Sequence, residues 1–78
     1  MEHQLKTLPQ YFREVQNGNK TFELRQDKKH YKIGDTLRIL EFDGTKLTGQ
    51  ECNKKIKYIL RNAEQYGLKR GFVILAMQ

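Results

Sequence analysis

One cysteine, Cys52, in a chain of 78 residues is the feature that most constrains the fold. A domain of this size buries only about 60% of the surface its unfolded chain exposes, and such domains often lean on disulfides or a metal. An internal disulfide is impossible here. His3, His30 and Cys52 stand far apart, without the C-x-x-C or H-x-x-x-H spacing of a zinc site, so no structural metal and no metal cofactor is expected. Stability must come from one apolar core, and the 37% hydrophobic residues, with four Phe and four Tyr, are enough for one. Residues 1–78 are therefore read as a single domain with no room for a second core. The longest apolar run, Phe72 to Met77, has six residues, where a membrane span needs about 20. No apolar leader opens the chain. The expectation is a cytoplasmic protein of a reducing compartment that touches no membrane.

Local pattern predicts strands around one short helix. His3 to Leu8 reads as an opening strand. Pro9 suits a first helical turn with Thr7 or Leu8 capping, and Tyr11, Phe12 and Val15 then share a face. The helix ends at Asn17, and Gly18 suits the left-handed position beyond it. Two turns are unstable alone and must pack on something larger. Lys20 to Arg25 reads as a strand with Phe22 and Leu24 on one face and Thr21, Glu23 and Arg25 on the other. Gln26 to Ile33 is polar, without a period, and reads as a loop. Thr36 to Phe42 follows as a strand, Asp43-Gly44 as a turn, Thr45 to Gly49 as a loop or short edge strand, and Glu51 to Leu60 as a strand with Ile56, Tyr58 and Leu60 inward and Lys55 and Lys57 outward. Arg61 to Arg70 has room for a helical turn, and Phe72 to Met77 is a final buried strand. Five to six strands with one short helix after the first give an α+β class. The predicted architecture is a small, mostly antiparallel β-barrel, because closure removes strand edges.

The formal net charge is +6, and the excess is uneven: residues 26–78 carry eleven basic against six acidic side chains. Lysines alternate with aromatic or apolar residues in Lys54-Lys55-Ile56-Lys57-Tyr58, a pattern that suits phosphate contacts beside a ring able to stack on a base. The same lysines would also keep a small domain soluble and blunt its sheet edges.

The stretch Gly18-Asn19-Lys20-Thr21-Phe22-Glu23-Leu24-Arg25, followed by Ile33-Gly34-Asp35-Thr36-Leu37, resembles the ASCH domain of the PUA-like superfamily, with its G-x-K-x-x-E-x-R strand and V/I-G-D turn. The whole chain is most similar to a small ASCH-like family of unknown function from bacteria and phages. His3, Leu5 and Lys6, then Thr48 to Glu51, and finally Gly71 to Leu75 carry that likeness. The resemblance implies a PUA-like barrel with a cleft for single-stranded or modified RNA, and some ASCH proteins are amidohydrolases of N4-acetylcytidine. Lys20 matches a lysine of those enzymes, whereas Glu23 stands at the position of their threonine, so no catalytic nucleophile is implied.

Read from the residues alone, Glu23 and Arg25 share one strand face, with Lys20 at the strand entrance; that the turn after Gly18 brings Lys20 to them is what the resemblance implies. A carboxylate between two cations suits acceptance from an amino group, while Arg25 offers its fork to a phosphate or carbonyl. The same pattern is also what a surface ion pair looks like. The expected site is Lys20, Glu23 and Arg25 near His3 and Lys6, with Lys54, Lys55 and Lys57 on flanking phosphates. His3 on its own reads as a plain surface residue, Tyr58 and Phe72 as core, and Cys52 as no nucleophile. The leading expectation is a non-catalytic module that binds RNA or a nucleotide without a cofactor. The alternatives are a small amidohydrolase of a modified nucleoside and a protein-interaction module using an exposed sheet edge.

Overall fold

The core assembles on one face of a five-stranded sheet. The computed structural model describes all 78 residues. Its elements are β1 (Glu2–Thr7), α1 (Pro9–Gln16), β2 (Phe22–Gln26), β3 (Thr36–Phe42), β4 (Leu47–Leu60), a single 3-10 turn (Glu64–Tyr66) and β5 (Phe72–Met77). The strand order is β1-β3-β4-β5-β2. β1 runs parallel to β3, with His3 opposite Leu37 and Leu5 opposite Ile39. The other three pairings are antiparallel. No helix is long and apolar enough to cross a membrane.

Burial alternates along β1 and β5 with the period of two that a sheet with one covered face requires. Leu5, Leu37, Ile39 and Leu75 form the floor of the core. The helix α1 lies over it and inserts Phe12 and Val15. Leu8 occupies the N-cap position with extended backbone and no side-chain cap, Pro9 starts the first turn, and Asn17 is the C-cap. Thr7 is spent elsewhere.

Three departures from the predicted pattern have local causes. The strand β4 starts at Leu47 rather than Glu51, because Asp43 Oδ1 accepts the amides of Thr45 and Lys46 at 2.8 and 2.9 Å and closes a tight hairpin. Those two amides also hold the Asp43 carboxyl below the usual carboxylate range. In the second half of β4 a bulge between Ile56 and Tyr58 inserts Lys57 as an unpaired residue. The alternation shifts by one, so Ile59 enters the core while Tyr58 is 57% and Leu60 38% exposed. The predicted loop holds a core residue: Tyr31 is buried, its amide bound to Asp27 and its carbonyl to Arg61.

The sheet is not a closed barrel. Its edges are β1 and β2, and the groups that would form the missing ladder can be identified. Thr21 O accepts from Met77 N, and Asp27 N donates to Gly71 O, so the odd residues of β2 face β5. The backbone groups of Phe22 and Leu24 therefore face the free edge. On β1 the even-numbered carbonyls point outward, among them those of Gln4 and Lys6. Both are taken by side chains, Lys29 Nζ binding Gln4 O and Arg25 Nη2 binding Lys6 O. Cationic side chains bridge the edges in place of strand pairing, and a gap remains between them.

Candidate functional site

The gap is a cleft of about 450 Å³ between β2 on one side and the β1–α1 corner on the other. Its floor is Glu23, only 3% exposed and opposite Leu75 in β5, a position where the core would accept an aliphatic side chain. The apolar residues of the strand point the other way: Phe22 is 46% and Leu24 55% exposed. A strand that buries its carboxylate and exposes its apolar residues runs against the hydrophobic pattern.

Two cations make the buried carboxylate tolerable. Arg25, two residues on along the same face, donates from Nε to Glu23 Oε2 at 3.0 Å. Lys20 comes from outside the strand. Gly18 takes a φ of 86° at the end of α1, a conformation that suits glycine, and the Lys20 amide then binds Glu14 O at 2.9 Å. From that anchor Lys20 Nζ reaches Glu23 Oε1 and Phe22 O, both at 2.8 Å. Arg25 Nη2 continues across the gap to Lys6 O at 3.0 Å and Thr7 Oγ1 at 3.2 Å.

This network leaves directed chemistry unused. Arg25 Nη1 keeps both N–H donors free, Lys20 keeps one, and each Glu23 oxygen retains acceptor capacity. The rings of Tyr11 and Phe22 stand on the cleft walls, with Lys20 Nζ 6.0 and 5.0 Å from their centroids. The cleft thus presents cationic donors, a carboxylate acceptor and two aromatic faces within one concavity. A planar, polar-edged ligand fits that set.

The structure brings together four of the eight residues read as the site: Lys20, Glu23 and Arg25, with Lys6 on the wall. His3 is elsewhere and is not a surface residue. It is buried, with Nε2 2.7 Å from Asp35 Oδ2 and its ring 4.8 Å from that of Tyr31. Asp35 accepts from His3, from the Lys32 amide and from the terminal ammonium, and its carboxyl is pulled down to about 2. This pair ties the 27–35 loop to β1.

The three lysines of β4 do not act as one cluster. Lys54 is half-buried beside the end of α1, while Lys55 lies on the opposite, outer face and Lys57 is the exposed bulge residue. Tyr58 is no core residue either, for the reason given by the bulge, and Phe72, also read as core, is only half-buried because the alternation of β5 turns it to the outer face. Cys52 packs against the core, and burial pushes its thiol up, which suits a structural role.

Thr7 and Tyr11 also line the cleft, and sequence pattern alone does not mark them as site residues. Thr7 shares the odd parity of His3 and Leu5, which is the signal that it turns inward. Tyr11 has the spacing of the core face of α1, yet it is half exposed beside the buried Phe12 and Val15. No curated protein matches the chain in sequence. A family model described as a domain of unknown function, DUF3850, matches residues 2–77, and the chain belongs to that family.

Proposed function

We propose that the chain is a non-catalytic RNA-binding module of ASCH-like, PUA-like kinship that holds one nucleotide in the cleft between β1 and β2. The observation that carries this reading is the buried Glu23 clamped by Lys20 and Arg25 at the cleft floor. As a stability device the arrangement is poor, because replacing a buried ion network by apolar side chains is often neutral or stabilising. As a reading head it is apt. Glu23 accepts from an exocyclic amino group, Arg25 Nη1 donates to a ring carbonyl or a phosphate, and Tyr11 or Phe22 packs on the base. The half-buried free thiol and the basic surface fit a cytoplasmic location.

The test is binding of single-stranded RNA at low salt, by fluorescence anisotropy, to the native chain and to Arg25→Ala. Loss of a two-donor contact should weaken binding by about 1–3 kcal/mol. Absence of RNA binding at low salt would sink the module reading.

A hydrolase reading has one observation in its favour, the Thr7 hydroxyl held in the same cleft by Arg25. A nucleophile also needs a base at hydrogen-bond distance, and the only partner of Thr7 Oγ1 is a guanidinium donor. Little or no turnover of N4-acetylcytidine is expected. Turnover abolished by both Lys20→Ala and Thr7→Val would establish the enzyme instead. The edge-docking alternative is disfavoured at β1, where Arg25 and Lys29 already cap the Lys6 and Gln4 carbonyls, and applies only to the edge of β2.

A further inference from the structure

The outer face of the sheet carries a second feature that the cleft does not use. Across β2, β5 and β4 the register sets Phe22 beside Ala76 and Ala76 beside Tyr58. A second row, Leu24, Ile74 and Leu60, runs next to it, and Phe72 lies opposite Gln26 at the end. Paired residues of antiparallel strands share a face, so these side chains form one continuous apolar and aromatic surface. Nothing covers it: Phe22, Leu24, Tyr58 and Leu60 are 46, 55, 57 and 38% exposed. Its charged neighbours are mostly basic, with Glu64 and the Arg61-paired Asp27 near Phe72 at the far end. Lys55 and the bulge residue Lys57 flank Tyr58 along β4, and Lys69 Nζ sits 5.6 Å from the Phe72 ring centroid. Glu51, farther back along β4, is already paired with Arg38.

Phe22 belongs to both places. It lines the cleft and begins the row that ends at Tyr58. Strands lie about 4.8 Å apart, so Phe22 and Tyr58, two strands apart, are separated by about 10 Å, which nearby bases of one extended strand can span.

Resting on the reading of the cleft as a nucleotide site, we infer that the RNA is single-stranded and leaves the cleft over Phe22, crossing the outer face to stack a further base on Tyr58 with its phosphates on Lys55 and Lys57. The chemistry favours this occupant. Aromatic rings on an open sheet offer stacking to unpaired bases, whose faces a duplex hides, and the charges beside Phe22 and Tyr58, the two rings on this path, are lysines. The bulge that exposes Tyr58 also projects Lys57 beside it, so one local irregularity supplies both ring and cation.

The experiment measures labelled single-stranded RNA of three and of eight nucleotides, and an eight-base-pair RNA duplex, against the native chain, Tyr58→Ala, Tyr58→Phe and Arg25→Ala. Tyr58 is exposed, so its variants should fold, and circular dichroism checks that they do. Tyr58→Ala should weaken octanucleotide binding about tenfold and leave the trinucleotide unchanged, as loss of one stacking partner predicts. Tyr58→Phe should retain native affinity, because the ring is kept. Arg25→Ala should weaken both lengths. Octanucleotide affinity untouched by Tyr58→Ala but lowered by Arg25→Ala would overturn this path and leave the cleft reading standing. Duplex bound as tightly as the single strand would overturn the path as well. Failure of the native chain to bind either length would overturn both.

Discussion

Replacing Glu23 by leucine separates the stability of the fold from the chemistry of its cleft. The native carboxylate is held by two charge-assisted hydrogen bonds, each worth about 1.5–3 kcal/mol. Against them stands the desolvation of a buried ion, an effective penalty of several kcal/mol. The two nearly cancel. A leucine at this position would meet Leu75 on the inward face of β2 and add about 1.5–3 kcal/mol of apolar burial, reduced by any misfit. The released cations would not become buried charges, since the side chains of Lys20 and Arg25 are 18% and 27% exposed and keep their bonds to Phe22 O, Lys6 O and Thr7 Oγ1. The expected net effect lies between no change and a gain of about 2 kcal/mol. For a domain of this size that is a rise in Tm of up to about 16 °C. Thermal and urea unfolding at pH 7, followed by circular dichroism, would measure it, with RNA binding by anisotropy in parallel. Binding should be lost. A fall in Tm of more than about 10 °C would show that the network is chiefly structural. Native RNA affinity in the leucine variant would remove Glu23 from the site.

Arg25→Ala removes three hydrogen bonds, including the bridge between the sheet edges, and should cost about 2 kcal/mol after allowing for partial exposure, more than its reading as a residue at the cleft surface suggests. A urea-unfolding loss under about 0.5 kcal/mol would make that bridge dispensable. Asp35 has its carboxyl pulled down to about 2 from an unfolded value of about 3.9, so its contribution is complete above about pH 4 and is lost as the pH falls toward 2. Acid unfolding of Asp35→Asn should show a flatter pH dependence across that window than the native chain; superimposable slopes would refute the assignment. Neutralising Lys55 and Lys57 should flatten the salt dependence of RNA binding by about 0.7 log units per phosphate left unneutralised for each tenfold change in salt, whereas Lys54→Gln should leave it unchanged. An equal effect from Lys54 would place the RNA on the other face. Phe12→Ala should cost about 3–5 kcal/mol in urea unfolding, because that ring is the helix's main insertion into the core.

The legible parts of this protein were those governed by neighbours in sequence. Pro9 and Gly18 bracket a helix because their backbone preferences act within one turn, and Asp43-Gly44 marks a hairpin for the same reason. The missing disulfide and metal motifs pointed to a core of aliphatic and aromatic side chains. Strand spacing by itself aligns only Glu23 and Arg25, a pattern a surface ion pair shares; the family resemblance of the Lys20–Arg25 stretch is what marks it as a candidate site.

Tertiary structure decided what period-two alternation leaves open. Parity sorted Glu23 and Arg25 from Phe22 and Leu24, but pairing with β5 and the packing of α1 determined that the charged pair faces inward. One extra residue at Lys57 exchanged Tyr58 for Ile59 in the core, a shift that no residue before or after it announces. His3 reads as a surface residue until the parallel pairing of β1 with β3 brings it to Asp35, 32 residues away. Closure into a barrel is the economical solution to two free edges, yet Arg25 and Lys29 satisfy the Lys6 and Gln4 carbonyls of β1 and the edges stay apart. Local sequence sets backbone preference and face parity through short-range sterics. Which face is buried, and which edges meet, depends on contacts between residues far apart in the chain, and the cleft exists only in those contacts.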